Sequence, residues 1–136
     1  MHTSMAVFAE SAKTRGDGKL DVTGVHNCRF VSELPAKLDL TFVLRFELDP
    51  LDYGVSHIIA LHIVDDDDTE LANLKTGTVT FDAPLEPGLP RAYDLIVPVS
   101  IVFPTAGTWI FDVRVNDKSV ARAPLLVMQS GPTKAP

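Results

Sequence analysis

An all-β domain, an antiparallel sandwich of two sheets around one buried layer, is what this sequence predicts, on three observations. From Leu38 to Leu48 every second residue is large and apolar (Leu38, Leu40, Phe42, Leu44, Phe46, Leu48), with Asp39, Thr41, Val43, Arg45 and Glu47 between them. That is the period-2 alternation of a half-buried strand. The pattern recurs in short runs separated by Gly, Pro, Asn and Asp, at a spacing that predicts seven to eight strands. No long stretch carries a 3.6-residue period, and 136 residues with 46% apolar and 22% charged side chains have the size and makeup of one domain with one core. The domain is expected over residues 1–130, followed by a flexible tail over 131–136, which is rich in Gly and Pro.

Each segment has its own justification. Met1 to Gly16 contains no apolar run long enough for a signal-peptide core, and Glu10, Lys13 and Arg15 interrupt it, which argues against secretion by that route. The turn-forming Gly16-Asp17-Gly18 leads into Leu20 to Val31, read as one strand in which Gly24 marks a bulge or a close backbone approach. After Pro35 comes the long alternation up to Leu48, and Asp49-Pro50 through Gly54 forms the next loop. Val55 to Val64 is apolar on both faces, with His57, Ile59, Leu61 and Ile63 on one and Ile58, Ala60 and Val64 on the other. Such a strand is covered twice, either by a loop or the N-terminal arm of the same chain or by another molecule, so Ile58, Ala60 and Val64 are interface candidates. Thr69 to Lys75 reads as strand or turn, because one or two helical turns without further length are marginal. Beyond the Pro84–Pro90 loop, Tyr93, Leu95, Val97, Val99, Ile101 and Phe103 alternate again, with Pro98 on the opposite face. A proline cannot donate to the ladder, so this strand belongs at an edge or carries a bulge.

The register of the last hairpin decides what is buried there. A two-residue loop at Asn116-Asp117 would bring Phe111 opposite Arg122 and send a charge into the core. A three-residue loop, Asn116 to Lys118, pairs Val113 with Ala121, Phe111 with Ala123 and Trp109 with Leu125, so that large meets small.

Composition and motifs exclude more than they assign. The net charge of −6, with no Lys/Arg cluster, disfavours nucleic acid. The longest apolar runs, Ile58 to Val64 and Leu95 to Phe103, fall far short of the roughly 20 residues of a membrane span. A single cysteine, Cys28, excludes an internal disulfide and suits a reducing, cytoplasmic compartment. Asp65, Asp66, Asp67 and Asp68, with Glu70 and possible help from Asp49 and Asp52, form the one constellation resembling a metal site. It lacks EF-hand spacing, and a solvated turn is the favoured reading. His57 and His62, five residues apart, point to opposite faces of a strand; His26 and Cys28 share a face but lack companions at ligand spacing. G-x-S-x-G, P-loop and GxGxxG motifs are absent, so no catalytic residue and no cofactor is assigned.

Phe103-Pro-Thr-Ala-Gly-Thr-Trp-Ile-Phe-Asp-Val-Arg-Val-Asn-Asp-Lys, followed by Ala121-Arg-Ala-Pro-Leu, resembles the last hairpin of Ig-like and fibronectin-like sandwiches. More narrowly, Ala6-Val-Phe-Ala-Glu-Ser-Ala and Asp17-Gly-Lys-Leu-Asp-Val-Thr-Gly are similar to an uncharacterised bacterial family of small Ig-like sandwich proteins, also met in actinobacteria and their phages. The resemblance spans nearly the whole chain. It implies an Ig-like β-sandwich and supplies no catalytic or ligand residues. The functional expectation is therefore a non-enzymatic binding, adaptor or structural module that acts through a protein partner or self-association. A calcium-dependent module using Asp65 to Asp68 is the alternative, and an enzyme assembled from loops the least favoured.

Overall fold

The computed structural model describes residues 1–82 and 91–130; the loop expected at Pro84–Pro90 and the tail expected over 131–136 lie outside the described residues. The chain is all-β. Among the described residues ten strands follow one another: β1 His2–Ala9, β2 Ser11–Thr14, β3 Leu20–Thr23, β4 Cys28–Val31, β5 Ala36–Leu48, β6 Ser56–Val64, β7 Glu70–Thr80, β8 Arg91–Phe103, β9 Gly107–Val115 and β10 Lys118–Gln129, with a 3-10 turn at Pro50–Asp52. One sheet has the order β1-β5-β8, the other β4-β10-β9-β6-β7, and β2 pairs with β3 in a separate hairpin. Pairing is antiparallel except between β4 and β10, which run parallel.

The count exceeds the seven to eight strands expected because four-residue strands are too short to display a period. Leu20 to Val31, read as one strand, is two. Gly24 turns the chain between β3 and β4 at φ +70, and a Cβ there would lie 2.5 Å from the side chain of Glu10. The close approach expected at this glycine is therefore present, and a non-glycine residue would meet both a strained φ and the Glu10 side chain.

Both sheets feed one core. Leu38, Leu40, Phe42, Leu44 and Phe46 of β5, Phe8 of β1 and Val99 and Phe103 of β8 meet Ile59, Leu61 and Ile63 of β6, Trp109, Phe111, Val113 and Val115 of β9, and Ala123, Leu125 and Val127 of β10. At its centre Phe111 stands edge-on to Phe8 at 4.7 Å and to Phe42 at 5.3 Å between ring centroids, which joins β9 to β1 and β5 of the facing sheet. Pro98 sits on β8, the last strand of its sheet, as its missing N–H requires. Thr69 to Lys75 enters β7, in keeping with strand or turn.

The hairpin has the register expected, Val113↔Ala121, Phe111↔Ala123 and Trp109↔Leu125, reached by a different route. The loop is two residues, not three: Val115 pairs with Lys118, and Asn116 and Asp117 take φ +52 and +65, the left-handed pair that a type I′ turn demands. A bulge between Ser119 and Ala121 then absorbs one residue and restores the large-to-small pairing. Asn116 also ties the turn to β6, since its Oδ1 accepts from Ile58 N–H at 2.9 Å and its own N–H donates to the Ile58 carbonyl at 2.9 Å.

Candidate functional site

The acidic turn keeps less for a cation than its five carboxylates suggest. Asp65 Oδ1 accepts from the N–H groups of Asp67 and Thr69, both at 2.9 Å, and folds the loop between β6 and β7 on itself. Asp68 is drawn to Arg122 at 2.9 Å, and Glu70 to His62 Nδ1 at 2.5 Å. Asp49 and Asp52 do not join the cluster. They hold the Met1 ammonium at 2.9 and 2.6 Å. Burial works against the Asp52 carboxylate, but this ammonium and the Asp49 N–H outweigh it and lower its pKa below the usual value. Asp65, Asp66 and Asp67 remain, with ligand oxygens within 4.8 Å of one another; Asp65 is half-buried, and Asp66 and Asp67 are exposed.

The two strand histidines are separated, as parity requires. Nε2 of His57 donates to the Asp52 carbonyl at 2.8 Å, and its ring packs on Phe81, so it fastens the 3-10 turn to β6. His62, held by Glu70, sits opposite Asp112 in the β6–β9 ladder, and Asp112 is the centre of a separate polar network. This aspartate is 1% exposed and accepts from Arg114 Nε at 2.9 Å and Ser119 Oγ at 2.5 Å, with Arg122 at 3.8 Å. Sequence reading did not single out Asp112. The signal was in the hairpin register, which sets it opposite Arg122.

Of the three interface candidates, Ile58 is largely exposed, Ala60 is half-buried and Val64 is only 4% exposed. The outer face of β6 is therefore narrower than the alternation implied, and Val64 belongs to the packed interior. Another apolar surface lies elsewhere. Parallel pairing sets Phe30 beside Met128 and Cys28 beside Leu126 on one face of β4 and β10. There Phe30 is 65%, Met128 41% and Leu126 38% exposed.

Next to this strip, β4 borders a polar cleft of about 490 Å³ lined by Glu10, His26, Cys28, Arg29, Asp39 and Thr41. His26 and Cys28 thus share one wall. Nδ1 of His26 lies 3.1 Å from the Gly24 carbonyl and donates to it, and Nε2 is buried without a partner among the described residues. Arg29 reaches across to donate to the Asp39 carbonyl at 3.2 Å, while Asp39 Oδ1 accepts from Ser100 Oγ at 2.6 Å. A second cleft of about 430 Å³ continues from Glu10, Asp39 and Thr41 towards Pro98 and Ser100. Side chains of both charge signs, the carboxylates of Glu10 and Asp39 and the guanidinium of Arg29, thus line the cleft beside an exposed apolar strip.

Two β-sheets packed on one core, with an apolar strip and a polar cleft at one border, define a β-rich domain. A family of unknown function, DUF6941, matches residues 4–128, and the chain belongs to that family. No curated protein matches it. No helix among the described residues is long and apolar enough to cross a membrane.

Proposed function

We propose that this protein is a non-enzymatic binding module, an Ig-like β-sandwich that docks a partner protein on the face shared by β4 and β10. The observation that carries the reading is the contiguous strip of Phe30, Met128 and Leu126 on two neighbouring strands. Scattered apolar residues on a surface are ordinary, whereas adjacent ones beside a polar rim are what a protein interface uses. Supporting the Ig-like assignment are two sheets packed on a common core and the aromatic-rich last hairpin. The free thiol of Cys28 suits a reducing cytoplasm, in the bacterial or phage setting that the sequence resemblance implies.

A photo-crosslinker attached to Cys28 should capture the partner in source cells, and binding is then measured with both proteins purified. Phe30→Asp should weaken that binding about tenfold or more, as loss of an apolar anchor does. Leu51→Asp, at a residue 90% exposed and far from the strip in sequence, should leave it unchanged. Both variants should melt close to the parent, because surface substitutions usually change stability by about 0.5 kcal/mol or less. Equal binding by the two variants would refute the proposed surface.

A second reading, a calcium-dependent module, is favoured by the convergence of Asp65, Asp66 and Asp67. It requires saturating heat in a calorimetric titration with Ca²⁺ and a higher melting temperature, since a ligand that binds only the folded state stabilises it. A flat titration with no shift ends that reading.

A further inference from the structure

We infer that the cleft between β4 and β5 receives an extended segment of the partner as an added strand, with a lysine or arginine of that segment lying between Glu10 and Asp39; this deepens the docking reading above and rests on it. The first support is an unfilled strand position. β1 pairs with β5 only from Thr41 to Glu47, whereas β8 pairs with it from Ala36 to Leu48. Among the described residues, positions 36–40 of β5 therefore pair in a ladder on one side only, although β2 passes near β5. Across the cleft stands β4, the last strand of its own sheet. Where a strand's N–H would lie, the Arg29 guanidinium donates to the Asp39 carbonyl instead. Backbone acceptors on an open edge are what strand addition engages.

The second support is how the other borders of the two large sheets are guarded. β1 is bulged between Thr3 and Met5, the β6–β7 ladder shifts register twice, and β8 carries Pro98. Bulges and prolines obstruct edge pairing, and β4 has neither. The third is charge. Glu10 and Asp39 flank both adjoining clefts, the first of which holds Arg29 as its lone Lys or Arg, on a chain of net charge −6. A cationic side chain is complementary there, and an acidic one is repelled.

The test uses two synthetic peptides, acetyl-Val-Lys-Val-Thr-Val-Lys-amide and its counterpart with Glu for Lys, titrated into ¹⁵N-labelled protein. The lysine peptide should shift the backbone amides of Cys28–Val31 and of residues 36–40 together and bind at least about tenfold tighter than the glutamate peptide. Asp39→Asn and Glu10→Gln, both at exposed positions, should shrink that ratio. Arg29→Ala, by freeing the Asp39 carbonyl, should tighten the lysine peptide. No shift with either peptide, or equal affinity for both, overturns strand addition. Shifts confined to Phe30, Leu126 and Met128 also overturn it while leaving the apolar docking face intact, and the Phe30→Asp comparison decides that face separately.

Discussion

Phe111→Ala should lower the free energy of unfolding by about 3 to 5 kcal/mol, the cost of deleting a fully buried aromatic ring and leaving a cavity. Phe111 is fully buried and contacts both Phe8 and Phe42 of the opposing sheet. Its removal takes away apolar burial and two edge-on aromatic contacts together. Neighbours can refill little of the space, because Phe8, Phe42 and the cross-strand Ile63 are themselves fully buried. Denaturant unfolding measures the loss. A decrease below about 1 kcal/mol would mean that the sheets are not packed through this ring, since values that small are typical of surface positions.

Trp109→Ala should cost a similar amount, about 3 to 5 kcal/mol. The indole is buried, packs on Phe103 at 5.6 Å, faces Leu125 across the hairpin, and donates from Nε1 to the Thr105 carbonyl at 3.1 Å. Substitution therefore removes apolar burial and leaves that carbonyl without its indole donor. Trp109→Phe separates the contributions, keeping most of the apolar contact while losing the hydrogen bond, and should cost about 1 to 2 kcal/mol. If Trp109→Ala unfolds at the same denaturant concentration as the parent, the tryptophan faces solvent and the hairpin register is wrong.

Legibility in the sequence followed the length of each element. The β5 alternation could be read directly because burial on one face imposes a period, and thirteen residues repeat it often enough to be seen. The register of β9 and β10 was readable from side-chain size, while the loop was not. A two-residue turn plus one bulged residue yields the same pairing as a three-residue loop, and only the backbone distinguishes them. β2, β3 and β4, at four residues each, fall below the length at which period 2 stands out. That is why the run from Leu20 to Val31 seemed continuous and the parallel pairing of β4 was missed.

The site was less legible than the fold. Ile58, Ala60 and Val64 share an apolar stripe in sequence, but the stripe does not reveal that Val64 is packed away while Phe30 and Met128, almost a hundred residues apart, lie side by side. The cleft is harder still. It exists because β1 stops at Ala9 while β5 continues back to Ala36, a relation between strand ends that only the assembled sheets express. His26 and Cys28 could be given a shared face from parity, but not the opposite wall of Glu10 and Asp39.

The most direct measurement of the central claim is amide hydrogen exchange on the free protein and on its complex with the partner captured through Cys28. Docking at β4 and β10, with a strand added beside β5, should slow exchange at Cys28–Val31, at Leu126 and Met128, and across residues 36–40, and should leave β6 and the loop after it unchanged. Protection centred instead on Ile58 or on Asp65–Asp68, with β4 exchanging as fast as before, would contradict the account and return function to the face or turn that the sequence first suggested.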